Sequence, residues 1–296
     1  MNKVFLNNEI IESSAASISG ADGGFLYGAG LFETMRASNG VVFALDGHLD
    51  RLFTSAEKLK INLRGDPPKG EVSPAADKEF IADAIYQTLN ANEFKEARIR
   101  LTATSGVVNT EQPEPTLLVT AVNFEPYPKE YYDKGITVVL NSYRQNPADV
   151  LAGHKTTSYF SRIYALAVAH QKLAAEALWF TIDGRLAEGC ISNVFIVKNS
   201  VLYTPSLKAG ILPGIARKTV LEIAGKNSIK AEEKELTIDD LLGADEVFIT
   251  NVIMQVMPVI KIEAHDIKDA KPGQITKKIA ALYTEHFNKE VQNVKS

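Results

Sequence analysis

The sequence predicts a two-domain protein that mixes sheet and helix, of the α+β or α/β kind. Three observations carry this. At 296 residues the chain exceeds the usual ~100–200 residues of one domain. Short β-branched runs with period-two alternation are interleaved with stretches whose apolar residues recur at helical spacing. Residues 123–135 hold two prolines among aromatic and charged residues, the composition of an interdomain connection. A small N-terminal α/β domain is therefore expected over residues 1–122, an interdomain loop over 123–135, and a larger domain over 136–296.

Taken in order, residues 4–11 read as a hairpin about Asn7-Asn8, and residues 18–30 as a glycine-rich loop. Gly28 and Gly30 look like the start of a phosphate-binding G-x-G, but the third glycine and a preceding parallel strand are missing, which argues against a dinucleotide fold. Residues 31–36 alternate as a strand, answered by 41–45 across Ser38-Asn39-Gly40. Asp46 is expected to cap a helix over 47–60 whose apolar stripe is Leu49, Leu52, Phe53, Ala56 and Leu59. Arg51 lies at the edge of that stripe, with His48 one turn before it. It is either a solvated helix charge, the usual state of an arginine, or a guanidinium aimed at a phosphate. Residues 64–76 form a loop by composition, 77–92 a helix, and 97–103 with 116–122 a strand pair.

In the second half, residues 136–140 form a β-branched strand, and a loop with proline and glycine (146–153) gives way to a helical pattern over 159–175. Ile163, Leu166, Ala167, His170 and Leu173 are expected on its core face. Lys155 stands at that boundary, between Asp149 and Arg162, with only His154 as a charged neighbour. Desolvation there lowers a lysine's pKa, and a neutral amine condenses with a carbonyl to form a Schiff base. The alternative is a surface lysine near a helix start. Strand 177–182 ends in the Asp183-Gly184 turn, and Glu188 precedes strand 194–197; a glutamate placed so is costly unless partnered. Strand 201–204 follows. GILPGIAR (210–217) opens a helix to 224, and its glycines let backbone N–H groups face an anion, or else form an ordinary Pro-Gly turn. A strand near 228–233, a short helix over 238–242, strands 246–250 and 256–262 joined through Asn251-Val252-Ile253, and a helix over 274–288 with a solvated face complete the chain.

Composition narrows the function classes. The chain is 45% hydrophobic and 23% charged with net charge −4, an ordinary globular balance with no basic surface for nucleic acid. It has no apolar run able to span a bilayer, and MNKVFLNNEI lacks the apolar core of a signal peptide. A single cysteine, Cys190, excludes an intramolecular disulfide and fits a reducing cytoplasm. The five histidines lack metal-ligand spacing, so no metal is expected.

A lysine on a loop, a glutamate after a turn, an arginine on a helix and a helix N-terminus behind glycines form the set that pyridoxal 5′-phosphate requires. Its aldehyde needs an amine, its pyridine nitrogen a carboxylate, and its phosphate backbone N–H groups with a guanidinium. The motifs YGAGLFETMR, HLDRL, AGHKTTSY, LAEGCISNVFIV, GILPGIAR and EVFITNVIMQVMPV, in that order, carry a resemblance over nearly the whole chain. By them the chain resembles the class IV (fold-type IV) pyridoxal-phosphate enzymes: branched-chain and D-amino-acid aminotransferases, (R)-selective amine transaminases and 4-amino-4-deoxychorismate lyase. The resemblance implies a small α/β domain and a larger pseudo-barrel domain, assembled as a homodimer whose active site borrows a partner loop. It makes Lys155 the Schiff-base lysine, Glu188 the partner of the pyridine nitrogen and Arg51 a phosphate ligand. Ile215 and Ala216 supply phosphate-binding N–H groups, Tyr159 meets the cofactor's 3′-oxygen, and Asn251 also binds the cofactor. Phe32, Thr34, Arg36, Arg98, Arg100 and Val252 fall to the substrate.

Departures bear on the substrate. Ala216 replaces a frequent threonine whose hydroxyl binds phosphate, a loss of about one hydrogen bond, ~1 kcal/mol. Arg98-Ile99-Arg100 stands where branched-chain aminotransferases carry Tyr-x-Arg, and residues 105–109 lack the arginine and histidine of D-amino-acid aminotransferases. Phe32, Thr34 and Arg36 match the lyases' Phe-x-Thr-x-Arg, and NVIMQVMPV (251–259) resembles their NALMPVMPV, but their glycine-arginine run is missing. The expected activity is amino transfer between amino and 2-oxo acids, with Lys155 as the base and an arginine among Arg36, Arg98 and Arg100 holding a carboxylate. The alternatives are pyruvate elimination by 4-amino-4-deoxychorismate lyase and, more remotely, a non-catalytic dimeric binding protein.

Overall fold

The structure is a computed structural model that describes residues 2–63, 74–110 and 114–292. Most of the loop expected at 64–76 lies outside the described residues. The chain divides into two compact units. One is Met1–Glu125 with His154–Tyr159 and Lys289–Ser296; the other is Pro126–Gly153 with Phe160–Asn288.

In the first unit the strands are β1 (Lys3–Leu6), β2 (Glu9–Glu12), β3 (Gly30–Ser38), β4 (Val41–Val42), β5 (Ala97–Thr104) and β6 (Leu117–Asn123). They form a six-stranded sheet in the order β2-β1-β6-β5-β3-β4, every pair antiparallel. Register follows the side-chain alternation. Met35 faces Ile99 and Ala37 faces Ala97 on the buried face, while Thr34 faces Arg100 and Arg36 faces Arg98 on the other. A slip by one residue would drive two arginines into the core, so the pairing is strongly specified. Helices α1 (Gly23–Tyr27), α2 (Leu45–Leu59) and α3 (Pro74–Ala91) complete the unit, and Leu49, Leu52 and Ala56 of α2 join Ile81, Ile85 and Leu89 of α3 in one core with the sheet. Each fully buried leucine or isoleucine there contributes about 1.5–3 kcal/mol.

Three expectations for this unit change. The glycine-rich stretch holds α1, because Asp22 Oδ1 accepts the Gly24 N–H and Gly28 closes the helix with φ 67°. α2 begins at Leu45, not after Asp46; Ala44 turns left-handed at its cap with φ 51°, its N–H donates to Glu290 Oε1 at 2.6 Å, and Asp46 serves the first turn. That leaves β4 only two residues. α3 starts at Pro74, three residues early, since proline suits the first helical position.

The second unit opens with α4 (Lys129–Lys134), a single turn and a half within the stretch expected as loop. Then come β7 (Ile136–Gln145), α5 (Phe160–Gln171), β8 (Glu176–Thr181), β9 (Leu186–Gly189), β10 (Asn193–Lys198) and β11 (Val201–Pro205). They are followed by α6 (Ile215–Lys226), β12 (Ala231–Lys234), α7 (Ile238–Leu242), β13 (Glu246–Asn251), β14 (Gln255–Ile262), β15 (His265–Asp266) and α8 (Gln274–Gln292). Nine strands make one sheet in the order β12-β11-β10-β13-β14-β7-β8-β9, with β15 on β14. β9 also returns against β10 and β11, so the sheet curls as a half-barrel around Val138, Leu178, Ile196, Ile249 and Met257. The parallel pairs are β7 with β8 and β14, and β11 with β12; β8 is buried along its whole length, as a strand covered on both faces should be, whereas β12 (AEEK) is a polar edge strand.

α5 corrects the sequence reading. Its inward positions are Ala165 and Ala169, whereas Ile163 and His170 are exposed and Leu173, beyond the helix, is 93% exposed. The helix is turned by one residue from the expected face because Arg162, ranked there as polar, takes the inner side and pairs with Glu188. Among the described residues no helix is long and apolar enough to cross a membrane.

Candidate active site

The lysine segment is held by the strand it follows in space. Thr156 bridges Leu31, Phe32 N–H donates to Lys155 O at 2.9 Å, and Thr157 N–H donates to Gly30 O at 2.9 Å. The glycines that resembled a phosphate loop serve this contact. A Cβ on Gly28 would fall 2.3 Å from Ser158 Oγ, and one on Gly30 would fall 2.9 Å from Thr157 Oγ1. Only glycine lets the two backbones close up.

Lys155, half-buried, places Nζ 4.4 Å from the centre of the Phe32 ring and 5.5 Å from that of Tyr159. Those two rings meet edge to face at 5.2 Å. The Arg100 guanidinium stacks on Phe32 at 3.9 Å while its Nε donates to Thr102 Oγ1. Arg98 projects beside it, Thr34 lies opposite it, and Arg36 stacks over Phe124 at 4.0 Å. The structure thus brings Lys155, Tyr159, Phe32 and Arg100 together on one face of the sheet.

Arg51 is on the other face. Its side chain is 9% exposed, which removes the solvated reading, and its fork closes on Glu33: Nε donates to Oε1 at 2.8 Å and Nη2 to Oε2 at 2.5 Å. His48 Nδ1 lies 2.7 Å from Glu33 Oε2. Burial pushes the Glu33 carboxyl up, but the Arg51 charge and the His48 bond outweigh it and hold the group at about 2. Burial also lowers His48, leaving its ring neutral and donating to the carboxylate. Sequence reasoning missed Glu33, although a charged residue at core parity between Leu31 and Met35 was a legible signal.

In the second unit Glu188 is buried on β9, and its partner is a residue not singled out from the sequence. Arg162 Nη2 donates to Glu188 Oε1 at 2.8 Å and to Gln145 Oε1 at 2.8 Å, Nη1 donates to Gly189 O at 3.0 Å, and the guanidinium lies 4.5 Å from the Trp179 ring centre. Glu188 Oε2 accepts Leu212 N–H at 3.0 Å and Asn193 Nδ2 at 3.4 Å. The same Asn193 donates to Leu212 O at 3.0 Å, tying β10 to the approach of α6. A Cβ at Gly214 would fall 1.9 Å from Asn193 Oδ1, so glycine is required there too.

α6 then starts with Ile215 and Ala216 buried and with no side chain capping its first turn. Buried orphan N–H groups at a helix start ask for an acceptor, and an anion satisfies them. Asn251 directs its side chain to the turn it opens: Oδ1 accepts Ile253 and Met254 N–H at 2.9 and 2.8 Å, and Nδ2 donates to Ile191 O at 3.0 Å. Val252 is buried in that turn. Taken unit by unit, the amine among aromatic rings in the first, and in the second the fixed carboxylate and the uncapped helix behind Gly214, are each a kind of group that pyridoxal 5′-phosphate uses.

Such a donor set defines an enzyme that handles amino groups through a bound aldehyde. The profile described as amino-transferase class IV matches residues 30–262, and the chain belongs to that family. Class IV aminotransferases depend on pyridoxal 5′-phosphate, and so does this enzyme. The chain is 36% identical to a Methanocaldococcus jannaschii protein provisionally named branched-chain-amino-acid aminotransferase, over 94% of this chain and 93% of that one. It is 30% identical to the aminodeoxychorismate lyase of Bacillus subtilis, over 98% and 95%. Its fold matches the branched-chain aminotransferase of the thermophilic archaeon Thermoproteus uzoniensis, solved with norvaline, at a TM-score of 0.85, with 28% identity over 98% of this chain and 95% of that one.

Proposed function

We propose that the enzyme transfers an amino group between an amino acid and a 2-oxo acid, with Lys155 as its covalent anchor and base. The observation that carries this is the Lys155 amine held between the Phe32 and Tyr159 rings, beside the Arg100 guanidinium. Bound pyridoxal 5′-phosphate supplies an aldehyde that captures the amino group and a ring that accepts electrons. Lys155 Nζ takes the α-proton of the bound amino acid and would deliver it to C4′, the carbon that carries the cofactor's aldehyde. Glu188, its charge fixed by Arg162, holds a proton on the ring nitrogen. Ile215 and Ala216 N–H groups hold the phosphate, and Arg51, which Glu33 anchors through Nε and Nη2, is assigned to it by the family resemblance; Tyr159 and Asn251 also serve the cofactor. Arg100, with Arg98 and Arg36, binds substrate carboxylate, since arginine pairs with it through two parallel bonds, and Phe32, Thr34 and Val252 shape the remainder. The working form is a homodimer with shared active sites, placed in a reducing cytoplasm in keeping with the lone Cys190, whose thiol burial pushes up to about 12.

The lyase reading is favoured by one observation: Thr34 of the Phe-x-Thr-x-Arg motif stands directly opposite Arg100 on the open face. The two separate in the visible spectrum of the purified protein. A cofactor band that collapses on adding one amino acid of either hand establishes amino transfer and its donor. A band indifferent to every amino acid, with 4-aminobenzoate formed from aminodeoxychorismate, establishes the lyase.

A further inference from the structure

A second buried carboxylate lies behind Glu188 and has no part in the chemistry above. Glu176 opens β8, is fully buried, and faces no cation among the described residues. Its oxygens are saturated by neutral donors. Oε1 accepts the N–H of Ala177 at 2.9 Å and of Cys190 at 3.0 Å; Oε2 accepts the N–H of Ile191 at 3.2 Å and the Ser192 hydroxyl at 2.9 Å. Three of the four come from consecutive residues, 190–192, the turn that leaves Glu188 and leads into Asn193. Burial raises the Glu176 carboxyl above the usual carboxylate range, with these bonds opposing.

The turn closes around this one side chain. Gly189 N–H donates to Ser192 O at 2.7 Å, and a Cβ at Gly189 would lie 2.2 Å from Ser192 Oγ and 2.9 Å from the Glu176 carboxyl carbon. With the Cys190 and Ile191 N–H groups turned inward, the carbonyls of Gly189 and Ile191 face outward. Gly189 O takes Arg162 Nη1 at 3.0 Å, and Arg162 holds Glu188. Ile191 O takes Asn251 Nδ2 at 3.0 Å. The residue after the turn, Asn193, bonds Glu188 directly. Glu188 is therefore fixed from both sides by groups whose places depend on the turn.

We infer that Glu176 is a positioning residue for this site: by gathering the donors of residues 190–192 it aims the Glu188 carboxylate, through Arg162 and Asn193, at the ring nitrogen of the cofactor. The inference rests on Glu188 being the partner of that nitrogen. An amide at 176 keeps the shape but turns an NH2 group towards two of the four donors, so the turn loses its centre.

The test compares apoenzyme affinities for pyridoxal 5′-phosphate and for its 1-deaza analogue, in which C–H replaces the ring nitrogen, by absorbance titration of the wild type, Glu188→Gln, Glu176→Gln and Ser192→Ala. Loss of at least tenfold affinity for the natural cofactor in both glutamine variants, with the analogue's affinity unchanged, supports positioning. Ser192→Ala removes one donor only and carries the test if Glu176→Gln does not fold; about threefold, again for the natural cofactor alone, is expected. If Glu188→Gln discriminates between the two compounds while Glu176→Gln and Ser192→Ala lower only the melting temperature, Glu176 is structural and the inference is wrong. Equal losses for both compounds in the Glu176 variant overturn it as well. If Glu188→Gln itself fails to discriminate, the assignment of Glu188 falls, and the positioning role with it.

Discussion

Lys155 and Phe32 are joined twice: the lysine Nζ lies 4.4 Å from the centre of the phenylalanine ring, and the Phe32 N–H donates to the Lys155 carbonyl at 2.9 Å. The amine is thereby tied at both ends of its residue to the first strand of the open sheet face. A lysine with its carbonyl bonded to a strand and its amine beside two rings has less conformational freedom to give up on binding than one in solvent, which favours it as a placed reagent.

Replacing Lys155 with alanine is expected to leave the fold intact and to lower turnover by at least about a thousandfold, within the range of a lost general base and nucleophile. Stopped-flow half-reactions of the variant loaded with pyridoxal 5′-phosphate measure this directly. Retention of more than a tenth of the wild-type rate would remove Lys155 from the chemistry.

Glu33 gives the protein an acid-sensitive joint. Its carboxyl titrates near 2 in the folded protein against an ordinary 4.5, so the folded state binds that proton more weakly than the unfolded state. The stabilisation is complete above about pH 4.5 and is lost as pH falls towards 2. Glu33→Gln should flatten the acid limb of a urea-midpoint profile over that window. Glu33→Ala, which leaves the Arg51 guanidinium buried and unmatched by this carboxylate, should cost about 3–5 kcal/mol at pH 7. An acid limb that keeps its wild-type slope in the glutamine variant would show that another group governs it.

Arg162→Met retains the length over Trp179 but takes this cation away from the Glu188 carboxylate. The expected loss is again about 3–5 kcal/mol in chemical denaturation, with weaker cofactor binding. Arg162→Lys should recover only part of it, because an ammonium cannot serve Glu188, Gln145 and Gly189 from one plane. Full recovery by lysine would reduce the role of Arg162 to charge alone.

Arg100→Leu should raise the KM for the amino acid about 10- to 100-fold, the worth of a charge-assisted bond of about 1.5–3 kcal/mol, while cofactor affinity changes little. Arg98→Leu should do less, since it is Arg100 that stacks on Phe32 beside the lysine amine. Steady-state kinetics with saturating cofactor distinguishes them. An effect larger at 98 than at 100 would exchange the two roles.

Much of this arrangement was legible in local sequence. The alternation Ala97, Ile99, Leu101 against Arg98 and Arg100 fixes which face of β5 is buried, because period two leaves no other assignment. Thr237 with Asp240 announces the start of α7 through a reciprocal capping box. Glu188 is legible as a charge that needs a partner, whereas for Lys155 and Arg51 the local sequence leaves an ordinary solvated reading open beside the functional one. The face of α5 was misread, since helical periodicity ranks residues by polarity, and a buried arginine with a carboxylate waiting for it reverses that ranking.

The sequence by itself determined which side chains are available: the lysine, the glutamate, the arginines, and the glycines that permit close backbone approach. Tertiary structure alone decided their partners. Glu33 to Arg51, Glu188 to Arg162, and Glu176 to the turn at 190–192 join residues up to 26 positions apart. In water each charge is satisfied by solvent and pairing is worth little. Once folding removes the solvent, a buried carboxylate must take whatever donors the strand register and helix rotation bring to it, and no local pattern records which those are.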